Sequence, residues 1–227
     1  IKTVTLLISI VFLGYAGTSR LDSLQKKLPL VSGTDKAVIH LLISSEFQVA
    51  SPDSSIYHAG QALQFYQSIK QDYGIGRAYF ELGLAYYNKQ DYSKALPIFI
   101  KAEKFSRHAK DSLNIAYIVS SRADIMEKEG DTELATNLHW EAYGILFRNN
   151  ELRGAAIELA SVGLIYWRRG ENLPALELFK EAYDIRKKLG LKQGMAMALN
   201  NMGVVYWRMG DYEKAFQSYS ESYDLRR

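Results

Sequence analysis

From Asp35 onward, apolar positions at helical spacing alternate with short polar breaks, and the same columns return every 40 residues. In the last stretch, Ala198 to Arg227, Met202, Gly203 and Tyr206 share one helical face. Gly210-Asp211 then breaks the chain, and Ala215, Tyr219 and Ser222 start a second face. Moved back by 40 residues at a time, Gly203 falls on Gly163, Ala123 and Gly83, and Tyr206 on Tyr166, Met126 and Tyr86. Ala215 falls on Ala175, Ala135 and Ala95; Tyr219 on Phe179, His139 and Phe99; Ser222 on Ala182, Ala142, Ala102 and Ala62. A fixed period of this size is the signature of stacked helix pairs. The pattern therefore predicts an all-α fold, a right-handed α-solenoid of about five helix-turn-helix pairs.

The pairs are expected over 35–70, 76–107, 115–147, 155–189 and 195–227. Their first helices are predicted at Asp35–Gln48, Gly76–Lys89, Ile115–Glu129, Ala155–Arg169 and Met195–Met209. Between the two helices of a pair stand Asp91, Asp131, Glu171 and Asp211, acids suited to cap the coming helix and to meet its dipole. Gly130, Gly170 and Gly210 precede three of them, as a left-handed helix end requires, while Gln90 takes that place in the second pair. The Gly and Ala columns read as points of close helix approach, and the aromatic columns as the filling around them. Gly74-Ile75-Gly76 reads as a loop between pairs. The first pair is the least regular, with Ile43 in the Gly83 column and Ala59 in the Phe99 column, as suits a pair at the edge of a stack.

These columns resemble the tetratricopeptide repeat: a small residue, an aromatic, a Gly-Asp turn, Ala, an aromatic, Ala. Leu82, Gly83, Tyr86, Ala95, Phe99 and Ala102 carry the likeness best, followed by Gly163, Tyr166, Ala175, Phe179 and Ala182. The period of 40 exceeds the usual 34 of that family. The third repeat departs most, with Arg122, Met126, Thr136 and His139 in columns that are otherwise apolar or aromatic. The resemblance implies a fold and a mode of protein or peptide binding, without naming a partner. The arrangement as a whole is also similar to the N-terminal regions of bacterial signalling proteins, in which such repeats precede a sensor histidine kinase or another output domain. On that resemblance an output domain is expected beyond residue 227, because Tyr219, Tyr223 and Leu225 are dressed for a neighbour.

Residues 1–19 stand outside the repeat. Lys2, an apolar run from Val4 to Leu13 and then Gly14-Tyr15-Ala16-Gly17 have the order of a secretory signal peptide, with cleavage expected after Ala16. The run is too short to span a bilayer. An apolar first helix and an uncleaved anchor are the other readings. An exported, periplasmic or membrane-associated protein is thus expected, with any membrane attachment supplied by a downstream anchor. Residues 20–34 form a short helix through Leu21, Leu24 and Leu28, ended by Pro29, and a linker.

Composition narrows the chemistry. There is no cysteine in the 227 residues, which excludes disulfides and thiolate metal sites. A net charge of +3, without blocks of one sign, gives no footprint for nucleic acid. His40, His58, His108 and His139 lack helical metal-ligand spacing, and no nucleophile turn or metalloprotease motif occurs. No catalytic residue, metal or cofactor is assigned.

The candidate binding face is the inner row on the first helices. It comprises Arg77, Phe80, Leu84, Tyr87 and Asn88, then Tyr117, Asp124, Glu127 and Lys128. Leu164, Trp167 and Arg168 follow, and last come Asn200, Val204, Trp207 and Arg208. Tyr87, Trp167 and Trp207 form an aromatic ladder beside the cations Lys128, Arg168 and Arg208, able to grip an extended peptide or its carboxylate. The competing reading is that the rings pack between repeats and the cations are solvated helix ends. The paired Lys and Asn of chaperone-binding members of the family are absent at Phe80 and Leu84.

Overall fold

The structure, a computed structural model, describes residues 17–227. The expected leader lies outside them except for Gly17, Thr18 and Ser19, which begin the first helix. The described residues are all-helical: α1 (Gly17–Lys27), α2 (Gly33–Phe47), α3 (Pro52–Ser68), α4 (Asp72–Asn88), α5 (Tyr92–His108), α6 (Ser112–Glu129), α7 (Thr132–Arg148), α8 (Leu152–Arg168), α9 (Asn172–Lys188), α10 (Lys192–Arg208) and α11 (Tyr212–Asp224). A turn of 3-10 helix at Leu28–Leu30, with Pro29 inside it, ends α1. The helices pack as consecutive pairs and form two compact units, one ending at Phe105 and the other running from Ser106 to Arg227.

The first helices begin earlier than their apolar stripes suggest, at Asp72, Ser112, Leu152 and Lys192 rather than at Gly76, Ile115, Ala155 and Met195. Lys70, Lys110, Asn150 and Gly190, at the ends of second helices, are all left-handed, with φ of 54°, 54°, 57° and 66°. Gln90, Gly130, Gly170 and Gly210 do the same at the ends of first helices, at 60°, 90°, 85° and 81°. From Lys70 to Gly210 the left-handed residue therefore recurs at every twentieth position. Each is followed by a residue whose N–H donates back across the turn, as from Asp111 to the Ser106 carbonyl at 2.9 Å and from Glu171 to that of Tyr166 at 2.9 Å. This is the six-residue closure that ties off a helix end. A three-residue connection leaves no room for the longer loops expected between pairs. Gly74 and Gly76, read as loop residues, are buried in α4, and a Cβ on Gly74 would collide with the Tyr66 ring.

The acidic caps divide by length. Asp91, Asp131 and Asp211 accept from the N–H three residues on, at 3.3, 3.0 and 3.2 Å, and Asp111 does so at 3.2 Å. Glu171 makes no such bond, since its extra methylene carries the carboxylate past the first turn.

Close approach explains the small columns. A Cβ on Gly163 would stand 2.7 Å from Cε1 of Phe179, one on Gly203 would stand 2.7 Å from Cε1 of Tyr219, and one on Gly83 would stand 2.5 Å from Cε1 of Phe99. In the third repeat the pair of columns reads Ala123 and His139: a methyl appears where the opposing ring is the smaller imidazole. Around these contacts the second unit buries Ala156, Leu159, Val162, Ala175, Leu176, Phe179, Leu199, Met202 and Val205 in one cluster. The first unit has its own cluster of Ala37, Ala62, Tyr66, Ile75 and Ala78.

Candidate functional site

The row on the first helices is carried by both units, and each part has its own geometry. In the first unit Arg77 lies 5.4 Å from the centre of the Tyr73 ring, and Phe80 tilts against Phe99 at 6.1 Å. Tyr87 packs on Tyr92 at 5.6 Å. Asn88 donates from Nδ2 to Oε1 of Gln48, the residue that follows α2, at 3.4 Å, and Gln48 donates from Nε2 to Oε2 of Glu81 at 2.6 Å. Burial raises the Glu81 carboxyl to about 7, against the opposing pull of Gln48 and Arg77.

In the second unit the row spans α6, α8 and α10. Arg168 donates from Nη2 to Oε1 of Glu127 at 2.8 Å, linking α8 to α6. Arg208 links α10 to α8 in the same sense: Nη1 donates to the Trp167 carbonyl at 2.5 Å, and the guanidinium lies 5.6 Å from the Trp167 ring centre. Two of the three cations of the basic ladder thus hold neighbouring repeats together, and Trp167 is half-buried beneath one of them. Lys128 is exposed. Asn200 is half-buried, whereas Leu164 and Trp207 open to solvent, Trp207 at 63 % with its ring centre 5.0 Å from that of Tyr212 in an edge-on pair. The exposed apolar side chains of this part of the row are Leu164 and Trp207.

The second unit also holds a polar group that residue spacing alone does not bring together. His139 on α7 and Glu158 on α8 are almost fully buried, with Nδ1 to Oε2 at 2.7 Å. Ser120 on α6 donates to the other Glu158 oxygen at 2.8 Å. Asp124, also on α6, has its Oδ1 3.9 Å from Nε2 of His139. Its carboxyl is raised to about 6, first by burial, with Glu158 and Glu127 adding to the effect and His139 and Lys128 opposing it. In the first unit His40 and His58, which share no helical spacing, meet across α2 and α3 with their Nδ1 atoms 2.9 Å apart. Among the described residues no group of three or more His, Asp or Glu side chains has the geometry of a metal site, and no helix is long and apolar enough to cross a membrane.

Residues 155–227 and residues 76–108 match profiles of the tetratricopeptide repeat. Both segments are tetratricopeptide repeats. No curated protein matches the chain in sequence. Among solved structures, BtubC (BKLC) from P. vanneervenii is similar, with a TM-score of 0.80 at 17% identity over 94% of this chain and 92% of that one. A STAND protein (Signal Transduction ATPase with Numerous Domains) with a tetratricopeptide repeat sensor, from Pyrococcus horikoshii, gives 0.74 at 16% identity, over 90% of this chain and 32% of its own. A Rap protein complexed with Competence and Sporulation Factor gives 0.66 at 16% identity, over 92% and 70%. At such identities the likeness is one of fold.

Within the tetratricopeptide frame, the polar group of the third repeat stands out by column. Asp124 occupies the position of Ser44, Leu84, Leu164 and Val204; His139 that of Ala59, Phe99, Phe179 and Tyr219; Glu158 that of Val38, Ala78, Ile118 and Ala198. His139 announces itself as a departure from the aromatic column. Glu158 is missed by residue spacing because it sits in the next repeat's first helix, and only the comparison of columns exposes it.

Proposed function

We propose that the chain is a non-catalytic scaffold that binds a protein or peptide segment along its first helices, in the second unit over Leu164, Trp167 and Trp207. The observation that carries this reading is the exposure of Trp207 on α10 and of Leu164 on α8, the helix whose Trp167 ring is already held by Arg208. Exposed indole is costly to leave in water and is a frequent anchor at interfaces. The Rap protein complexed with Competence and Sporulation Factor supports the reading, since a chain of this fold there holds a partner. Selection from a random dodecapeptide library on the immobilised protein tests it. Enriched peptides should lose binding to a Trp207→Ala, Leu164→Ser variant. Binding that survives in that variant moves the site to another face.

A second reading, the input region of a signalling protein, is favoured by the fold-level likeness to the tetratricopeptide sensor of the STAND protein. Extending the reading frame past the codon for Arg227 decides it: a kinase, ATPase or DNA-binding domain supports the reading, and a stop codon there removes it. Export rests on the apolar run and small residues of the leader. N-terminal sequencing of exported protein should begin at Gly17, and intact Lys2 in a cytosolic pool would count against export.

A further inference from the structure

The second unit sorts its charge by edge. Its helices are joined by two or three residues and pack on their neighbours in order, so successive helices run antiparallel. Turns from second to first helices therefore lie at one edge of the unit, and turns from first to second helices at the other. Arg186, at the end of α9, donates to the carbonyls of Gly194 and Ala156, both at 3.2 Å, and so touches the starts of α10 and α8 together. At the opposite edge Arg169, just past α8, donates from Nη2 to Oγ1 of Thr132 at the start of α7, at 2.8 Å.

The two edges differ in sign. The turns at 107–113, 147–153 and 187–193 carry seven Lys or Arg against Asp111 and Glu151, a net charge of +5. Exposed Arg226 and Arg227, at the end of the second helix α11, add to that edge. The turns at 127–133, 167–173 and 207–213 carry seven Asp or Glu against four Lys or Arg, a net charge of −3. Helix dipoles do not account for the difference. Every turn joins a helix C-terminus to an N-terminus, so dipole complementation asks the same of both edges. Arg153 and Lys192 stand in the first turns of α8 and α10, where the dipole disfavours cations, and Glu127 and Glu129 in the last turn of α6, where it disfavours anions.

The acidic edge also ties down its own cations. Arg168 is engaged with Glu127, Arg169 with Thr132 and Arg208 with the Trp167 carbonyl, while Glu129, Glu133, Glu171 and Glu213 are exposed. Exposed apolar side chains stand among both sets of charges: Phe147 and Leu189 at the basic edge, Leu173, Met209 and Tyr212 at the acidic one. Such groups gain nothing from a phosphate backbone, and they favour a polypeptide surface as the partner. One surface of opposite sign, studded with apolar groups and repeating at the same 40-residue interval, belongs to the chain itself.

We propose that the basic edge of the second unit docks on the acidic edge of the same unit in a second copy of this chain. Like edges repel, so the contact is heterologous and extends from copy to copy. Exposed ion pairs contribute little each, which makes the association weak, quickly formed and salt-dependent. This inference does not rest on the binding reading above.

Sedimentation velocity of the full chain tests it at about 0.1 mM, where a Kd of about 0.1 mM leaves many copies associated. Association is expected at about 20 mM salt, weakened about tenfold or more at about 500 mM. Lys187→Glu, Lys188→Glu, Lys192→Glu gives two acidic edges, and Glu129→Lys, Glu133→Lys, Glu171→Lys gives two basic ones. Each variant alone should be monomeric at low salt, and their equimolar mixture should associate again. A wild type that stays monomeric overturns the inference; if that monomer binds poly-glutamate or duplex DNA, the basic edge serves an acidic protein or nucleic acid instead. Association that persists at high salt or in both separate variants places the contact elsewhere and also overturns it. A mixture of folded variants that stays apart does the same. Should a triple variant lose its helical circular dichroism, the single changes Lys192→Glu and Glu129→Lys, both favoured by the helix dipole, carry the same comparison.

Discussion

Nδ1 of His139 lies 2.7 Å from Oε2 of Glu158 in a part of the second unit where both side chains are almost fully enclosed. The pair is coupled to the small column opposite it. Ala123 occupies a place that is Gly in the second, fourth and fifth repeats, so a six-membered ring at position 139 would meet its methyl group. Glu158→Ala alone leaves the imidazole N–H unpaired and should cost about 1–3 kcal/mol. Combining it with His139→Phe and Ala123→Gly rebuilds columns found elsewhere in the chain and should recover most of that loss, because replacing both members of a buried polar pair is far cheaper than removing one. Urea denaturation of the single and triple variants measures the coupling. A triple variant less stable than Glu158→Ala would show that the columns are not interchangeable.

Two helical glycines should respond to alanine in opposite senses. A Cβ on Gly60, within α3, meets nothing within 4 Å, so Gly60→Ala should stabilise by about 0.5–1 kcal/mol through helix propensity. Gly163→Ala places a methyl 2.7 Å from Cε1 of buried Phe179, and overpacking should outweigh the same propensity gain, for a net loss of about 1 kcal/mol. Thermal denaturation reads both, and a stabilised Gly163→Ala would contradict the close approach.

Stability in the first unit should depend on pH through two groups of opposite sign. Glu81, raised by burial to about 7, keeps its proton in the folded chain after the unfolded chain has released it near 4.5. Its contribution is present below about 4.5 and is lost as pH rises through about 7. His40, lowered to about 4 by burial, then by His58 and Lys36, resists a proton that the unfolded chain takes up near 6.5. Its contribution is present above about 6.5 and is lost as pH falls through about 4. Melting temperature against pH separates them. Glu81→Gln should remove the decline toward pH 7, and His40→Phe the decline toward pH 4. A profile of wild-type shape in either variant would refute that assignment.

Arg208 should act as a cover for Trp167 more than as a charge. Its guanidinium lies over the indole, and the half-exposed interaction is worth about 1 kcal/mol or less. In a background where Trp140 and Trp207 are phenylalanine, Arg208→Ala should shift the remaining emission to longer wavelength with little change in melting temperature. An unshifted spectrum would mean that the ring is shielded by other groups.

The fold was largely legible because the residues that make it are periodic. Gly83, Gly163 and Gly203 mark contacts that recur with each pair, and repetition turns a weak local signal into a strong one. Helix starts were less legible. Lys70, Lys110 and Asn150 adopt a left-handed conformation that glycine usually supplies, and only Gly190 declares it by residue type. At the candidate site, the sequence left open whether the rings of the row face solvent or pack between repeats, and the structure has Trp207 exposed and Trp167 half-buried. The use of Arg168 and Arg208 as ties between repeats was not legible, since each reaches a group about one period away whose distance depends on how tightly the helices stack. The meeting of His139 with Glu158 was hidden for the same reason.

The left-handed residue at every twentieth position gives the chain a grammar of splicing. Removing residues 131–170 would join Gly130 to Glu171, a left-handed glycine followed by an acid, and would lead α6, a first helix, into α9, a second helix. Removing 131–150 would join Gly130 to Glu151 with equal local fit, yet would set two first helices in succession. Locally the two junctions are indistinguishable; only the first preserves the alternation of faces. The length of such a protein can therefore drift in whole pairs, while half-pairs are barred by the mispairing of otherwise intact helices and not by any fault at the seam.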